Sequence, residues 1–353
     1  MKVDYIIVGL GLAGLAFVEE LIAAKKTFIV FEDDSQTSSL VAGGVYNPVI
    51  LKRFTPVWNA KAQLSVALPF YKSIEEKLNI SIDEKFVIKK VFKSIEDQNN
   101  WFAALDKPKL TAYLDPKLDT KIYNGILADF NYGNVNEAGR IDTKKLVESY
   151  RKYLRKKEAI RFENFEYQKL NIEENSIDYK DIEASKIVFC EGFGIKQNPY
   201  FNYLPLNEAK GELLTIDAPE LNIDFLLKST LFILPLGNNL YKVGATFNWT
   251  DKTSNPSEEG REELVEKLKK TINVPYTIVS QSAGVRPTVS GRRPLVGTHP
   301  KHNQLIVLNG LGTRGVMIAP TVAQNLFNHL EKNEHLDNEI DIHRFKHLYH
   351  KDS

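Results

Sequence analysis

The chain has 353 residues, with 46 basic and 45 acidic side chains and a formal net charge of +1. This balance excludes an overall field that would attract the chain to nucleic acid or to a membrane surface. The single cysteine, Cys190, excludes an internal disulfide framework and a cysteine-based zinc site. The length is sufficient for about two domains with sizeable cores.

Two features of the sequence bear on where the protein acts. The first apolar run begins within five residues of Met1, which leaves no room for a secretory signal. No apolar run approaches the roughly 20 residues that span a bilayer. From these observations we expect a cytoplasmic protein.

The N-terminal residues carry the strongest pattern. An apolar run at residues 5–8 enters the sequence Gly9-Leu10-Gly11-Leu12-Ala13-Gly14, and an amphipathic segment follows to Ala24. A second apolar run then ends at Glu32. The order strand, glycine turn, helix, strand and acidic residue predicts a βαβ unit that binds a dinucleotide.

Each glycine of this turn has a predicted role. Gly9 allows the tight turn, Gly11 lets the backbone approach a pyrophosphate, and Gly14 lets the helix pack closely on the strand. The backbone N–H groups and the positive end of the helix then bind the phosphates. Glu32 is placed to accept a hydrogen bond from a ribose hydroxyl, and its charge disfavours a 2′-phosphate. FAD and NAD both fit this pattern.

The next part of the chain begins with small residues from Thr37 to Pro48. Such a loop permits a flat ligand to approach the backbone closely, although an ordinary glycine loop has the same composition. Periodicity and capping signals then predict four elements. These are a helix from Pro56 to Leu78, a strand from Lys85 to Ser94, a helix from Asn99 to Leu105 and a helix with Asp142 as its N-cap. The basic run of the last helix, which includes Arg151, is interpreted as a solvated face.

The second half of the chain is predicted to contribute strands to both domains. A hairpin is predicted from Arg161 to Tyr179, then a buried parallel strand at residues 186–192 in which Cys190 is a packed hydrophobic residue. Segments 210–216, 231–235 and 240–247 predict an antiparallel sheet. The remaining predicted elements are a charged helix from Glu258 to Ile272, a strand at 305–308, a second glycine turn at 310–315 and a helix from Ala319 to Leu330.

Taken in order, these motifs resemble the D-amino acid oxidase-like FAD-dependent oxidoreductases. This family includes glycine oxidase, sarcosine oxidase and the FAD domain of the bifunctional tRNA wobble-uridine methylaminomethyl enzyme. The resemblance covers nearly the whole chain and favours FAD over NAD. The matching motifs are the N-terminal fingerprint with Glu32, the Ser39 to Gly44 loop, Gly139-Arg140-Ile141-Asp142, Cys190-Glu191-Gly192, Lys210-Gly211-Glu212, Pro235, Gly244-Ala245-Thr246, Gly284-Val285-Arg286-Pro287 and the Gly310 to Gly315 turn.

The resemblance implies an α/β fold in which a Rossmann-like FAD-binding domain is interleaved with an antiparallel-sheet substrate domain of α+β type. The FAD-binding domain takes residues 1–80, 138–204 and 284–353, and the substrate domain takes residues 81–137 and 205–283. The C-terminal segment contains no cysteine, so FAD is expected to be bound non-covalently. The implied FAD-binding residues are Gly9, Gly11, Leu12, Ala13, Gly14, Glu32, Asp33, Ser39, Gly43, Gly44, Cys190, Gly192, Arg286, Gly310, Gly312, Thr313, Arg314, Gly315 and Val316.

The reaction that the resemblance implies is oxidation of the C–N bond of a carboxylate-bearing amine, such as an amino acid or an N-substituted glycine. A hydride passes to flavin N5 and water hydrolyses the resulting imine. The implied catalytic residues are Arg286, Lys242 and Arg314. Arg286 takes the position of the arginine that binds the substrate carboxylate, and Lys242 that of the lysine that assists reaction with oxygen. A structural arginine and an exposed strand lysine are the alternatives.

Other features leave the substrate open. Phe232 stands where glycine oxidases have a tyrosine, and the turn from Leu311 to Gly315 resembles the tRNA-modifying enzyme more than glycine oxidase. Cations expected near the flavin either neutralise the cofactor's charge or attract an anionic substrate. These cations are Lys52, Arg53, Arg292, Arg293 and Arg314.

The predicted partner is a small-molecule amine, and two other functions stay open. One is a tRNA wobble-uridine carboxymethylaminomethyl-modifying FAD oxidase, and the other is a non-catalytic flavin-binding partner or sensor. His343 and His347 have the i, i+4 spacing of metal ligands but are interpreted as exposed helix residues, so no metal is predicted. The sequence leaves the oligomeric state open.

Overall fold

The computed structural model describes residues 1–349. The helices in that range are α1 (Leu12–Ala23), α2 (Ser38–Val41), α3 (Ala60–Leu78), α4 (Ile95–Leu105), α5 (Thr143–Lys156), α6 (Glu258–Lys269) and α7 (Gly315–Lys332). The strands are β1 (Lys2–Val8), β2 (Phe28–Glu32), β3 (Val45–Tyr46), β4 (Val49–Ile50), β5 (Thr55–Pro56), β6 (Asp83–Val91), β7 (Tyr132–Ile141), β8 (Ile160–Phe162), β9 (Leu170–Ile172), β10 (Ile177–Tyr179), β11 (Ile182–Phe189), β12 (Leu206–Asp217), β13 (Leu226–Lys228), β14 (Phe232–Gly237), β15 (Leu240–Gly244), β16 (Thr277–Val289), β17 (Leu295–Thr298) and β18 (Leu305–Asn309).

The first sheet is mainly parallel and has the order β17-β18-β11-β1-β2-β8. Strands β18, β11, β1, β2 and β8 run parallel to their neighbours, whereas β17 and the β9–β10 hairpin are antiparallel additions. Because the second halves of β1 and β11 are covered on both faces, residues 5–8 and 187–189 are continuously apolar. This sheet is the predicted Rossmann-like layer.

The two faces of this sheet are covered differently. Helices α1, α3, α5 and α7 contribute to one apolar core, in which the Tyr71 hydroxyl donates to the carbonyl of Val316 over 2.9 Å. The opposite face carries a second core rich in aromatic rings, including Phe31, Tyr179 and Phe189. Helix α5 begins as predicted, because the Asp142 side chain accepts from the backbone N–H of Lys145.

The second sheet has the order β16-β12-β15-β14-β13-β6-β7-β3 and is antiparallel except where β13 meets β6. Helix α6 packs on it through Leu264 and Leu268, and a separate core surrounds the buried Trp101 of α4. The predicted fold class, a Rossmann-like α/β layer with an interleaved antiparallel sheet, is therefore confirmed. The domain boundaries stay predictions, and residues 350–353 of the last segment lie outside the described residues.

A buried polar cluster holds the loop between β15 and α6, residues 245–257, against β12. The carboxylate of Glu212 accepts from the backbone N–H of Ser257 at 2.9 Å and from Gln281 Nε2 at 2.7 Å. The ammonium of Lys210, itself buried, pairs with Asp251. A buried carboxylate with this many donors is well satisfied, so the loop has a defined path over the edge of the second sheet.

Some predicted boundaries were wrong. Residues 55–56 form an antiparallel strand with β4, so the helix predicted from Pro56 begins at Ala60. The hairpin predicted from Arg161 is limited to β9 and β10, because residues 160–162 instead extend the parallel sheet beside β2. Of the helices between residues 1 and 349, none is long and apolar enough to cross a bilayer.

Candidate active site

The turn between β1 and α1 is built from contacts that only glycine allows. Gly9 has a φ of +91°, and a Cβ there would lie 2.7 Å from the Cys190 carbonyl oxygen. A Cβ on Gly14 would lie 2.1 Å from the carbonyl oxygen of Gly9. A Cβ on Gly11 would meet the Ser39 hydroxyl at 3.1 Å, on the side where the turn faces a cavity. The tight turn at Gly9 and the close packing at Gly14 have the predicted geometry, and the approach of a pyrophosphate at Gly11 stays a prediction.

Glu32 lies at the end of β2 with its carboxylate buried beside this turn. Its Oε2 accepts from the backbone N–H of Leu10 at 2.5 Å, and its Oε1 accepts from Arg151 Nη2 at 2.8 Å. Burial raises the pKa of Glu32, and the Arg151 guanidinium opposes that rise. Arg151 was predicted on a solvated helix face, and this was wrong, because its side chain is only 13% exposed.

One continuous cavity of about 1190 Å³ runs from this turn to the second sheet. The predicted residues in its wall are Gly9, Gly11, Leu12, Ala13, Glu32, Asp33, Ser39, Gly43, Gly44, Cys190, Gly192, Arg286, Gly312, Thr313, Arg314, Gly315 and Val316. Gly14 and Gly310 lie behind the wall, where each permits a close backbone contact. Most of the predicted set is thus brought together, although the residues belong to distant parts of the chain.

The N-terminus of α7 and the turn before it form the wall beside the fingerprint, where a Cβ on Gly315 would lie 3.1 Å from the Leu12 side chain. The Arg314 guanidinium there is partly buried, and burial together with Arg292 lowers its pKa. Within residues 1–349 it has no carboxylate partner. Of the other cations predicted near the flavin, Lys52 lies in the cavity wall, whereas Arg293 lies outside it and pairs with Glu339.

Arg286 projects from β16 at the end of the cavity that the second sheet forms. Its guanidinium carbon lies 4.3 Å from the centre of the Phe247 ring, and its Nη1 donates weakly to the Thr246 carbonyl at 3.4 Å. A Cβ on Gly211 would lie 1.9 Å from the guanidinium, so the glycine makes room for it. Burial lowers the pKa of Arg286 to about 10. In the described part of the chain no carboxylate pairs with this cation.

The wall near Arg286 also contains residues that sequence reasoning missed. Lys228 and Thr230 line the cavity together with Phe232, at the end of β13 and in the turn that follows. The signal available in the sequence was a lysine directly after an apolar pair, Leu226-Leu227, which places a charge at the end of a buried strand.

Lys242 is not in the cavity wall that residues 1–349 form. Its ammonium lies 3.5 Å from the carbonyl oxygen of Val41, behind the segment that contains α2. Burial and the nearby Arg140 lower its pKa, so it is not the exposed strand lysine of the alternative interpretation. A role beside flavin N5 stays a prediction.

Cys190 and the two tail histidines have the structural environments that the sequence indicated. Cys190 is buried at the end of β11, and burial raises the pKa of its thiol, which suits a packed hydrophobic residue. His343 accepts or donates only to its neighbour Asp341. No group of three metal-ligating side chains occurs in the range that the structure describes.

Comparison with known proteins agrees with this geometry. The family model described as FAD dependent oxidoreductase matches residues 4–328. The chain belongs to this family. Glycine oxidase from Bacillus subtilis (strain 168) is 28% identical over 151 residues, which are 40% of this chain and 39% of that protein. The tRNA 5-methylaminomethyl-2-thiouridine biosynthesis bifunctional protein MnmC from Campylobacter jejuni is 26% identical over 175 residues, 47% of this chain and 28% of that protein.

The solved structures show the same fold at low sequence identity. Glycine oxidase from Geobacillus kaustophilus superposes with a TM-score of 0.77 at 18% identity, with 98% of each chain covered. The alignments to curated relatives span well under two thirds of those proteins' lengths. The family therefore establishes an FAD-dependent oxidoreductase, while the substrate has to be argued from the site.

The residues of the cavity fit FAD. The backbone N–H groups at the start of α1, the glycine contacts at Gly9 and Gly14, and the carboxylate of Glu32 lie at one end. The second glycine turn and the unpaired Arg314 lie further along the same cavity. Cys190, whose sulfur is buried, is the sole cysteine of the chain, and non-covalent binding of FAD stays a prediction.

We expect Gly14→Ala to reduce FAD binding and to lower the free energy of unfolding by roughly 1–3 kcal/mol, because the new methyl group overlaps the Gly9 carbonyl. The ratio of flavin to protein absorbance and urea denaturation measure the two effects. Gly194→Ala is the matched control. Gly194 lies in the wall of the same cavity, and its new Cβ would be 3.4 Å from Gln36 Nε2, an ordinary contact distance. Equal flavin content in the two variants would contradict the packing argument.

A buried acid near the fingerprint makes the stability of the folded state depend on pH. Burial raises the pKa of Glu191 to about 7, although Tyr167 and Asn198 both donate to its carboxylate. The folded state therefore binds this proton more tightly than the unfolded state. The stabilisation is present below the ordinary pKa of about 4.5 and is lost as the pH rises to about 7.

We expect Glu191→Gln to resemble the wild type at pH 5 and to be more stable by about 1–3 kcal/mol at pH 8. Thermal unfolding between pH 5 and 8 provides the measurement. Glu166→Gln is the control with the opposite sign, because Lys169 and Lys180 hold the pKa of Glu166 below its usual range. Parallel pH profiles for wild type and Glu191→Gln would show that Glu191 is not the titrating group.

Proposed function

We propose that this FAD-dependent oxidoreductase oxidises the C–N bond of an amine that carries a carboxylate, followed by hydrolysis of the imine in water. The observation that carries the proposal is Arg286, a partly buried guanidinium in the cavity wall with no carboxylate partner in residues 1–349. A buried cation without a partner is costly unless a ligand supplies the opposite charge. A guanidinium fork matches a carboxylate in a bidentate geometry.

The chain's own residues would position the substrate for this reaction. FAD, when bound, supplies the acceptor for a hydride. Arg286 fixes the carboxylate end, and the Phe247 ring limits the movement of the guanidinium by covering one of its faces. Leu213 and Phe232 add apolar surface to the cavity wall that also contains Arg286, and such a surface excludes water from a reacting carbon. Such positioning is a large part of what a protein adds to cofactor chemistry.

The pKa of Arg286, about 10, keeps the guanidinium charged at neutral pH. Arg286→Met should therefore raise KM by roughly 10- to 100-fold, the effect of losing a charged hydrogen bond, while FAD stays bound. Anaerobic bleaching of the flavin by glycine or N-methylglycine, compared with methylamine, measures the effect. Arg293→Met, which removes an arginine outside the cavity, should change KM less than about twofold. Equal kinetics in the two variants would refute the assignment.

We propose as a second candidate the oxidation of a carboxymethylaminomethyl group on tRNA. Two exposed aromatic rings, Phe247 and Trp249, lie next to Arg286 on the loop between β15 and α6, with 55% and 57% of their surfaces exposed. Exposed rings can stack on unpaired bases. The relative from Campylobacter jejuni is named for the biosynthesis of 5-methylaminomethyl-2-thiouridine in tRNA.

For this candidate, tRNA at low salt should bind the wild type and bind the double variant Phe247→Ser, Trp249→Ser at least about tenfold more weakly. Filter binding or fluorescence anisotropy measures the affinities. Wild type that binds no tRNA at low salt would exclude the candidate without affecting the small-amine proposal.

A further inference from the structure

Lys228 is a second cation at the substrate end of the cavity. It ends β13, directly opposite Phe232 in the strand register, and both residues lie in the cavity wall. Within residues 1–349 its ammonium makes no hydrogen bond and no ion pair. The side chain is partly buried, so water compensates its charge only in part.

The charged groups around Lys228 leave its ammonium without a counterion. Lys90 on β6, Lys93 after that strand and Lys267 on α6 are all positively charged. The nearby carboxylates are already engaged, because Asp97 pairs with Lys90 at 2.6 Å and Glu263 pairs with Lys267. Burial and these three lysines lower the pKa of Lys228 to about 8. Lys228 is thus the cation at this end of the cavity that the described residues do not neutralise.

The register of the sheet relates Lys228 to Arg286. Lys228 pairs with Phe232, Phe232 with Gly244, and Gly244 with Leu213 on β12. The Arg286 guanidinium lies over Gly211, two residues along β12 from Leu213. The backbone of Lys228 is therefore three strand spacings, roughly 14 Å, from that of Gly211 across the sheet, with a further offset of about 7 Å along β12. A ligand that contacts both cations must be longer than a simple amino acid.

We propose that Lys228 is a second anion-binding residue of the substrate site, so that the substrate is an extended amine with a carboxylate at Arg286 and another anionic group, a carboxylate or a phosphate, at Lys228. This inference rests on the proposed binding of a carboxylate by Arg286. The intervening wall of Phe232, Gly244 and Leu213 suits the uncharged middle of such a molecule.

If Lys228 binds an anion, the affinity for dianions depends on pH in a way that a purely structural lysine would not produce. An ammonium with a pKa of about 8 loses its charge as the pH rises from 7 to 9, so affinity for a dianion falls across this interval. Affinity for a monoanion held by Arg286 alone stays constant there, because Arg286 titrates at higher pH.

The test uses calorimetric titration of the flavin-containing enzyme with unreactive acids. The probes are the unbranched dicarboxylates from glutarate to suberate, the monocarboxylates of equal length, and ω-phosphonocarboxylates for the phosphate arm. We expect one dicarboxylate or phosphonocarboxylate to bind at least about tenfold more tightly than the matched monocarboxylate at pH 7. The better of the two dianion series identifies the second anionic group.

Three variants separate binding at Lys228 from a general loss of charge. Lys228→Met should remove the preference for the dianion, and Lys228→Arg should retain it at pH 9 as well as at pH 7. Lys93→Met removes a nearby positive charge that is outside the cavity wall, and should retain the preference. Lys228→Met should also melt at a higher temperature than wild type at pH 7, because it removes a cation whose pKa burial lowers.

The outcomes distinguish this inference from the proposed function. Monocarboxylates that bind through Arg286, with no gain for any dianion, would overturn the second anchor alone. A dianion preference that survives in Lys228→Met would do the same. If no carboxylate of any kind binds, both proposals fail together. If Lys228→Met does not fold, the comparison at pH 9 decides the question. There Lys228→Arg should still prefer the dianion over the matched monocarboxylate, whereas the wild type should have lost that preference.

Discussion

The contact between the Gly14 position and the Gly9 carbonyl is the constraint on which the rest of the structure depends. Three backbone segments meet there, the β1–α1 turn, the first turn of α1 and the end of β11, and no side chain fits between them. Because they meet, the N-terminus of α1 and the carboxyl ends of β1, β2 and β11 open on one edge of the parallel sheet. Dinucleotides bind at this edge of open parallel sheets, so the packing of the turn also places the cofactor.

A different constraint applies to the second sheet. It has to hold cations in the cavity wall without pairing them with carboxylates. The polar cluster at Glu212 satisfies its own charges and holds the loop that brings Phe247 over Arg286. Arg286, Lys228 and Arg314 have no such partners among the described residues. Unpaired buried charge costs stability, and a site that binds anions recovers that cost only when a ligand is present.

Sequence patterns predicted the parts of the structure that depend on local chemistry. The glycine turn, the acid at the end of β2, the cap at Asp142 and the buried strand β11 all follow from residue type and short spacing, and the structure has each of them. Most of the residues predicted from the order of motifs along the chain lie in the cavity wall, but the sequence did not predict how far the cavity extends.

The errors came from contacts between residues far apart in sequence. Arg151 looked like a surface residue because its neighbours are charged, and only the folded sheet shows that it reaches Glu32. The strand at residues 160–162 is set by its pairing with β2. Lys228 was missed because its role depends on which carboxylates its neighbours have already engaged.

The pairing of Arg151 with Glu32 has a consequence for how cofactor preference can change in this lineage. In many dinucleotide-binding folds a single exchange of the acidic residue at the end of the second strand opens the way to phosphorylated ribose. Here that exchange would leave the largely buried Arg151 of α5 with Asp34 as its remaining carboxylate partner. The effects of substituting Glu32 and Arg151 are therefore thermodynamically coupled. Adaptation to another nucleotide would require changes at both residues.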